Sequence, residues 1–293
     1  MSKSVPVLVL AFLIAACGLN GESPVATSGS TVPDDPPERI VSLSPTGTEI
    51  LFAIGAGEQV VAVDELSNYP EEAPTTELSF FEPNVEAIAS YDPDLVVVSD
   101  DLNDVIDGLT ALAIPVVHHP PAGSLSDTYA QITELGAATG HELEANNLID
   151  DMRTEMEGLS TSVADTEHGF TYYHELDSFL YTVTSETFVG QVNALAGLEN
   201  IADAAEGADA LYPQLSAEYI VEQDPDFIFL ADTKCCGQSP ETVAARPGWN
   251  ELTAVQDGSV VPLDDDVASR WGPRIVDHLT VVVESVDQLT ANP

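Results

Sequence analysis

Across residues 39–117, short apolar runs alternate with amphipathic stretches. The runs at 39–43, 60–63, 95–98 and 115–117 predict four buried strands. After the first, Ser44-Pro45 opens a helix, with serine as N-cap and proline at the first helical position. Ile50, Leu51 and Ile54 keep helical spacing, and Gly55 and Gly57 end the segment. Shorter helices are predicted near 84–90 and 103–112. The same grammar returns after residue 168. Strands are predicted at 170–173, 179–183, 227–230 and 260–263, the first two able to form a hairpin. Helices are predicted near 188–196, 216–222, 241–252 and 273–289. Continuously apolar strands separated by helices imply an α/β fold whose mainly parallel sheets are covered on both faces.

One stretch occurs twice. VEAIASYDPDLVVVSD begins at Val85 and AEYIVEQDPDFIFLAD at Ala217, 132 residues later. At that offset Glu86 falls on Glu218, Asp92-Pro93-Asp94 on Asp224-Pro225-Asp226, and Asp100 on Asp232. A weaker echo relates residues 50–63 to 192–204. Two lobes of one design are the simplest account, and convergent strand–helix grammar without duplication is the other. Between the lobes, residues 124–163 contain no proline, and Leu143, Leu148, Ile149, Met152, Met156 and Leu159 recur near helical spacing. From His141 onward this reads as one helix of about twenty residues, about 30 Å long, a strut and not a free-swinging linker. Two such lobes with their strand ends facing each other enclose a cleft, and in open parallel sheets ligands bind beyond the carboxyl ends of the strands. The first lobe brings Ser44, Tyr69, Phe80, Phe81, Asp100-Asp101 and His118-His119 to such positions. The second brings His174, Tyr212, residues 234–236 and the run 264–270.

The chain begins with Lys3 and the apolar run VPVLVLAFLIAA, too short to remain in a bilayer as a spanning helix. Ile14-Ala15-Ala16-Cys17 resembles the bacterial lipobox, which implies cleavage before Cys17 and its lipidation; a plain secretory signal cut elsewhere is the alternative. GLNGESPVATSGSTVPDDPPE then reads as a polar tether. The expected organisation is a signal at 1–16, a lipid-anchored tether at 17–38, a lobe at 39–124, connecting helices at 125–163 and a second lobe at 164–293.

Charge narrows the partners. There are 50 acidic and 7 basic residues, a net charge of −43. Nucleic acid and anionic lipid surfaces are excluded as partners on that ground, which leaves membrane contact to the lipid anchor. The plain reading of the acidity is a solvated coat. Once Lys3 leaves with the signal, the cations are Arg39, Arg153, Lys234, Arg246, Arg270 and Arg274, and the cluster between 234 and 274 marks a candidate functional surface. With Cys17 lipidated, the adjacent Cys235 and Cys236 remain in an oxidising compartment, where a vicinal disulfide is expected beside Gly237. Two small buried thiols are the alternative.

RIVSLSPTGTEILFAIGAGEQVVAV from Arg39, then NYP, NVEAIASYDPDLVVV and DDDVASRWGPRI, taken in order, resemble the solute-binding proteins of ABC importers for cobalamin and ferric chelates, most of all the vitamin B12-binding members. The resemblance runs from Arg39 to the C-terminus. It implies two Rossmann-like lobes joined by a single long helix, with a corrinoid or iron chelate held between them. It also implies an extracytoplasmic, membrane-anchored lipoprotein that works as a monomer with an ABC permease dimer. In that family an aromatic from each lobe lines the cleft, and the glutamate six residues on docks the lobe onto the permease. Carried to this chain, these are Phe80 with Glu86, and Tyr212 with Glu218. Two similar permease subunits present a two-fold surface, which a single chain can match only by carrying its docking charge twice. The alternative is that both glutamates sit in first helical turns because the helix dipole favours them there. Flat, partly apolar ligands suit ring faces, which makes Tyr69, Phe80, Phe81, Tyr212 and Trp271 candidates. Asp266 falls where the cobalamin-binding members hold ligand polar groups, and Arg270 where they have an arginine. Those members often carry tryptophan at the Phe80 and Tyr212 positions, so haem or a ferric siderophore stays open, as does a sensor that presents its ligand to a signalling protein.

Six histidines raise a metal reading, with His118-His119 at one strand end and His174 facing them from the other lobe. Zinc or manganese needs three or four convergent ligands, and the acidic, histidine-rich loop of related zinc importers is absent. Packed or solvated histidines and no metal site are therefore expected, with an axial histidine for haem or cobalt as the remaining role. No GxSxG, GxxxxGK[ST] or HExxH motif occurs, and neither enzymatic activity nor a resident cofactor is expected.

Overall fold

The computed structural model describes residues 35–164, 169–205 and 210–291. The expected signal and Cys17 lie outside them. Among the described residues no helix is long and apolar enough to cross a membrane.

The first lobe runs β1 (Ile40–Leu43), α1 (Pro45–Ala53), β2 (Val60–Asp64), β3 (Thr75–Leu78), α2 (Val85–Ala89), β4 (Leu95–Val98), α3 (Val105–Ala111) and β5 (Val116–His118). All pairings are parallel, in the order β3-β2-β1-β4-β5. The central strands β1 and β4 are buried at every position, which is why their sequences are apolar except at Ser42, whose buried hydroxyl donates to the Ser44 carbonyl. The edge strand β3, TTEL, has one buried residue and gives no apolar run to find. As read from the sequence, Ser44 caps α1 by accepting the Gly47 N–H.

Two helices connect the lobes: α4 (Leu125–Thr139) and, after a left-handed Gly140, the 23-residue α5 (Glu142–Ala164). The strut does not stand free. Its row Ile149, Met152, Met156 and Val163 belongs to one core that also takes in Ile40 and Ile50 of the first lobe and Phe227 and Val282 of the second. Leu143, counted on the apolar face from spacing, is 68% exposed.

The second lobe contains β6 (Thr171–Glu175), α6 (Phe188–Ala194), β7 (Glu199–Asn200), α7 (Ala217–Gln223), β8 (Phe227–Leu230), α8 (Thr233–Cys236), α9 (Pro240–Ala244), α10 (Thr253–Gln256), β9 (Val260–Pro262), α11 (Asp265–Ser269) and α12 (Ile275–Ala291). Its parallel sheet has the order β7-β6-β8-β9. Two expectations fail here. Residues 179–183 form no strand: Asp177 Oδ1 gathers the N–H groups of Phe179 and Tyr181, Leu180 is left-handed (φ 69°), and only an isolated Tyr181–Gln214 bridge follows. The helix expected at 241–252 is broken, because Pro247 and the left-handed Gly248 (φ 85°) end its first half.

The 132-residue repeat is a repeat of geometry. Ile40 pairs with Leu95 in the first sheet, and Tyr172 with Phe227 in the second. Asn84 and Ser216 cap α2 and α7 through their side chains. Asp92 and Asp224 both turn the chain in the left-handed region, at φ 49° and 46°. Asp94 Oδ2 then accepts the N–H groups of Glu38 and Arg39 ahead of β1. Asp226 Oδ2 accepts the N–H and hydroxyl of Thr171 at the start of β6. In each lobe the Asp-Pro-Asp run thus ends a helix, reverses the chain and fixes the register of the central strand pair.

Candidate functional site

The carboxyl ends of the two sheets meet across a cleft holding two adjoining cavities. The first, about 250 Å³, lies between Thr46, Glu65, Phe80 and Ser99 of the first lobe and the segment Asp266–Trp271 of the second. The second, about 280 Å³, is walled by Leu176, Phe188 and Tyr212, with Pro121 and Ala122 at its edge. Ser269 and Trp271 line both. Trp271 is fixed from behind by α4: its Nε1–H donates to Gln131 Oε1 at 2.8 Å, and its carbonyl accepts the Thr128 hydroxyl. Phe80 is positioned by Glu65, whose carboxylate accepts the Phe80 N–H (2.8 Å) and the Ser79 hydroxyl (3.0 Å). Phe81 meets Phe80 edge to face and stands 66% exposed on the rim.

An ionic cluster ties the lobes together beneath the first cavity. Glu49 of α1 is buried, and its carboxylate accepts from Arg270 (2.8 Å) and from both Nε and Nη2 of Arg274. Arg270 also donates to the Leu66 carbonyl, Asn68 Oδ1 and Asp266 Oδ1. Arg270, expected to supply a polar contact to the ligand, lines the first cavity with its Nη1 and Nη2 bonded to protein oxygens. Asp266 further accepts from Asn68 and from Lys234, which also reaches Asp264. Burial would raise the pKa values of Asp264 and Asp266, but Lys234, joined at Asp266 by Arg270, outweighs it and holds both below the usual carboxylate value. Tyr69 is 45% exposed and lines neither cavity; its ring lies under the Arg274 guanidinium at 4.1 Å.

Residues 40–267 match the periplasmic binding protein family. The chain belongs to that family. Among its relatives is the uncharacterized ABC transporter substrate-binding lipoprotein YvrC of Bacillus subtilis (strain 168), 31% identical over 85% of this chain and 80% of the relative. A cobalamin-binding protein of Halobacterium salinarum (strain ATCC 29341 / DSM 671 / R1) is 29% identical over 94% of this chain and 76% of its own. The crystal structure of the periplasmic vitamin B12-binding protein BtuF of Vibrio cholerae superposes with a TM-score of 0.68 at 26% identity, covering 87% of this chain and 98% of that one. The family is one of substrate-binding transport proteins, and two parallel-sheet lobes about a cleft are its fold.

Within this binding protein the sequence-derived candidates separate. Phe80, Tyr212, Asp266 and Arg270 line the cavities; Phe81 and Tyr69 line neither, Phe81 packing on Phe80 and Tyr69 against Arg274. His174 does not. The alternation of β6 turns it away from the cleft mouth into the helix layer, fully buried, with its ring 6.2 Å from that of His278 on α12. Burial pushes the His174 pKa down to about 3, helped by His278, and burial lowers His278 to about 4. His119 is also buried, bonded to Glu134. Among the described residues no group of three or more His, Cys, Asp or Glu converges as metal ligands.

Glu86 and Glu218 both stand exposed in the first turns of α2 and α7. Cys235 and Cys236 are joined by a vicinal disulfide in the exposed turn α8. Asp265 caps that turn, its carboxylate accepting the N–H groups of Thr233, Lys234 and Cys235. The cysteines line neither cavity, although their turn abuts the segment that does. Asp232, the repeat mate of exposed Asp100, is buried; burial, with Glu175 nearby, raises its pKa to about 7. Spacing alone did not single out Glu49, Asn68, Leu176 or Phe188. Glu49 carried one signal, a carboxylate flanked by Thr48 and Ile50 on a helix face otherwise apolar or small.

Proposed function

We propose that this protein is the extracytoplasmic solute-binding subunit of an ABC importer, anchored through a lipidated Cys17. In this reading it captures a large, flat, partly apolar chelate, a corrinoid first of all, and delivers it as a monomer to a permease dimer. The observation that carries this is the pair of adjoining cavities walled by aromatics of both lobes, Phe80 on one side and Tyr212 on the other, with Trp271 shared. Each cavity alone falls below the ~300–1,000 Å³ usual for small-molecule sites. A corrin-sized ligand would therefore insert an edge and lay its body across the rims, where Leu66, Phe81, Leu211 and Tyr212 are exposed large apolar residues. The names of relatives that bind cobalamin or vitamin B12 support the same ligand class. Glu86 and Glu218 are assigned to docking by their equivalent exposed places in the two lobes.

Calorimetry and absorption spectra of the purified domain with cyanocobalamin, haemin and ferric siderophores test the reading. The expected outcome is micromolar or tighter binding of a corrinoid or iron chelate with a perturbed spectrum. Binding of free zinc with none of these compounds would overturn it. A ferric siderophore as the sole ligand would keep the transport reading and replace the corrinoid.

A further inference from the structure

We infer that the cleft selects neutral or cationic chelates, carrying amide or ammonium donors at their edge, over anionic ones. The inference rests on the solute-binding reading above and names the ligand's charge class.

Ligand carboxylates or catecholates would need free cations, and the described cleft offers none. Lys234 is paired with Asp264 at 2.6 Å and Asp266 at 2.8 Å. Arg270 is paired with Glu49 and Asp266, and Arg274 with Glu49. The other described cations lie elsewhere or are held. Arg39 bonds the carbonyls of Tyr91 and Asp92 ahead of β1, at the end of its sheet opposite the cleft. Arg153 sits on α5 over Tyr129. Arg246 is gripped by both oxygens of Glu175 and lines neither cavity.

Carboxylates remain in excess. Glu65 lines the first cavity with its oxygens on a hydroxyl and a backbone N–H, and no cation beside it. Asp265 bonds backbone N–H groups and the Thr233 hydroxyl. Set against Lys234, Arg270 and Arg274 are therefore Glu49, Asp264, Asp265, Asp266 and Glu65. The chain's net charge of −43 adds a long-range field of the same sign. The polar lining of the first cavity is the carboxylates of Glu65 and Asp266 and the hydroxyls of Thr46, Ser99 and Ser269, beside the Asn68 amide and an Arg270 paired with Glu49 and Asp266. Such a surface takes N–H donors and repels carboxylates.

Matched ligand pairs test this without the confusion of shape. Cyanocobalamin is compared with a corrinoid whose peripheral amides are hydrolysed to carboxylates. Ferrioxamine B, with its ammonium, is compared with the N-succinylated form, which ends in a carboxylate. Calorimetry at about 20 mM and about 500 mM salt is expected to show the anionic member bound at least about tenfold more weakly at low salt, with the gap narrowing as the Debye length shrinks. In Asp266→Asn, which leaves Lys234 and Arg270 with one anion fewer, the ratio within each pair should shift toward the anionic member by about fivefold to tenfold. An anionic member that binds as tightly as its neutral or cationic mate at low salt overturns the inference and leaves the solute-binding reading intact. Binding of haemin, which carries two carboxylates, with none of the four compounds overturns the inference and keeps the solute-binding reading; binding of neither haemin nor any of the four overturns both.

Discussion

A buried histidine with no hydrogen-bond partner on either ring nitrogen, as His174 is, affects the protein through its proton affinity and not through the ligand. His174 and His278 have folded pKa values depressed to about 3 and about 4. Their contribution to stability is complete above the unfolded value of about 6.5 and is lost as pH falls toward the folded values. Asp64 and Asp232 act in the opposite sense. Burial raises them to about 6 and about 7, so their contribution is complete below about 3.8 and is lost as pH rises through those values. Between pH ~4 and ~6 unfolding takes up protons at the histidines and releases them at the aspartates, and the two nearly cancel. His174→Phe removes one of the two histidines from that balance. The variant should gain stability relative to the parent by about 1.4 kcal/mol for each pH unit lowered across this window, read from urea melts at several pH values. Parallel pH profiles for the two proteins would contradict it. Glu49 shows the other fate of a buried ionisable group: two arginines reached across the lobes meet it, so it stays and joins them.

At the scale of an element, the duplicated helix–turn–strand unit shows how one sequence pattern can carry unequal energies. Asp92 and Asp224 occupy the same left-handed turn, yet only Asp224 is used further, its carboxylate accepting the N–H and hydroxyl of Thr253. Glycine suits the left-handed region and relieves the turn in both lobes. Asp92→Gly is therefore expected to leave stability within about 1 kcal/mol of the parent. Asp224→Gly should lose about 1–3 kcal/mol, because the donors of Thr253 lose charged acceptors. Chemical denaturation of the two variants side by side gives the comparison, and equal losses would mean that the Thr253 contacts contribute nothing. The repeat was readable in residue identities; the asymmetry between its copies depends on what packs against each.

For the whole molecule, α4 and α5 behind and the Glu49–Arg270–Arg274 cluster in front hold the lobes at a set separation. A solute-binding protein held this way is expected to rearrange little on binding, leaving fixed charges on its outer face as the handle for a permease. Glu86 and Glu218 are the proposed handle, each worth about 1.5–3 kcal/mol as a charge-assisted contact. The Glu86→Ala, Glu218→Ala double variant should bind ligand with unchanged affinity and fail to support uptake in cells or reconstituted vesicles. Normal uptake by the double variant would end the docking assignment.

The sequence by itself determined the α/β class, the two lobes, the central strands and the repeat, because buried parallel strands need unbroken apolar runs and helix caps need particular residues at fixed offsets. Phe80, Tyr212, Asp266 and Arg270 were read as cleft residues through the family resemblance and not through any pattern of their own. The sequence did not yield β3 or β7, an exposed-patterned edge and a two-residue strand, whose pairing comes from neighbours and not from their own pattern. Nor did it reveal which way His174 points, since a histidine within a strand has no apolar periodicity of its own and its face is set by sheet register. Above all, only the tertiary structure decided that Arg270 is held by Glu49, 221 residues away. An ion pair between distant segments leaves no local spacing in the chain. The charge that the cleft offers a ligand is what remains after such pairs have formed, and that remainder exists only in three dimensions.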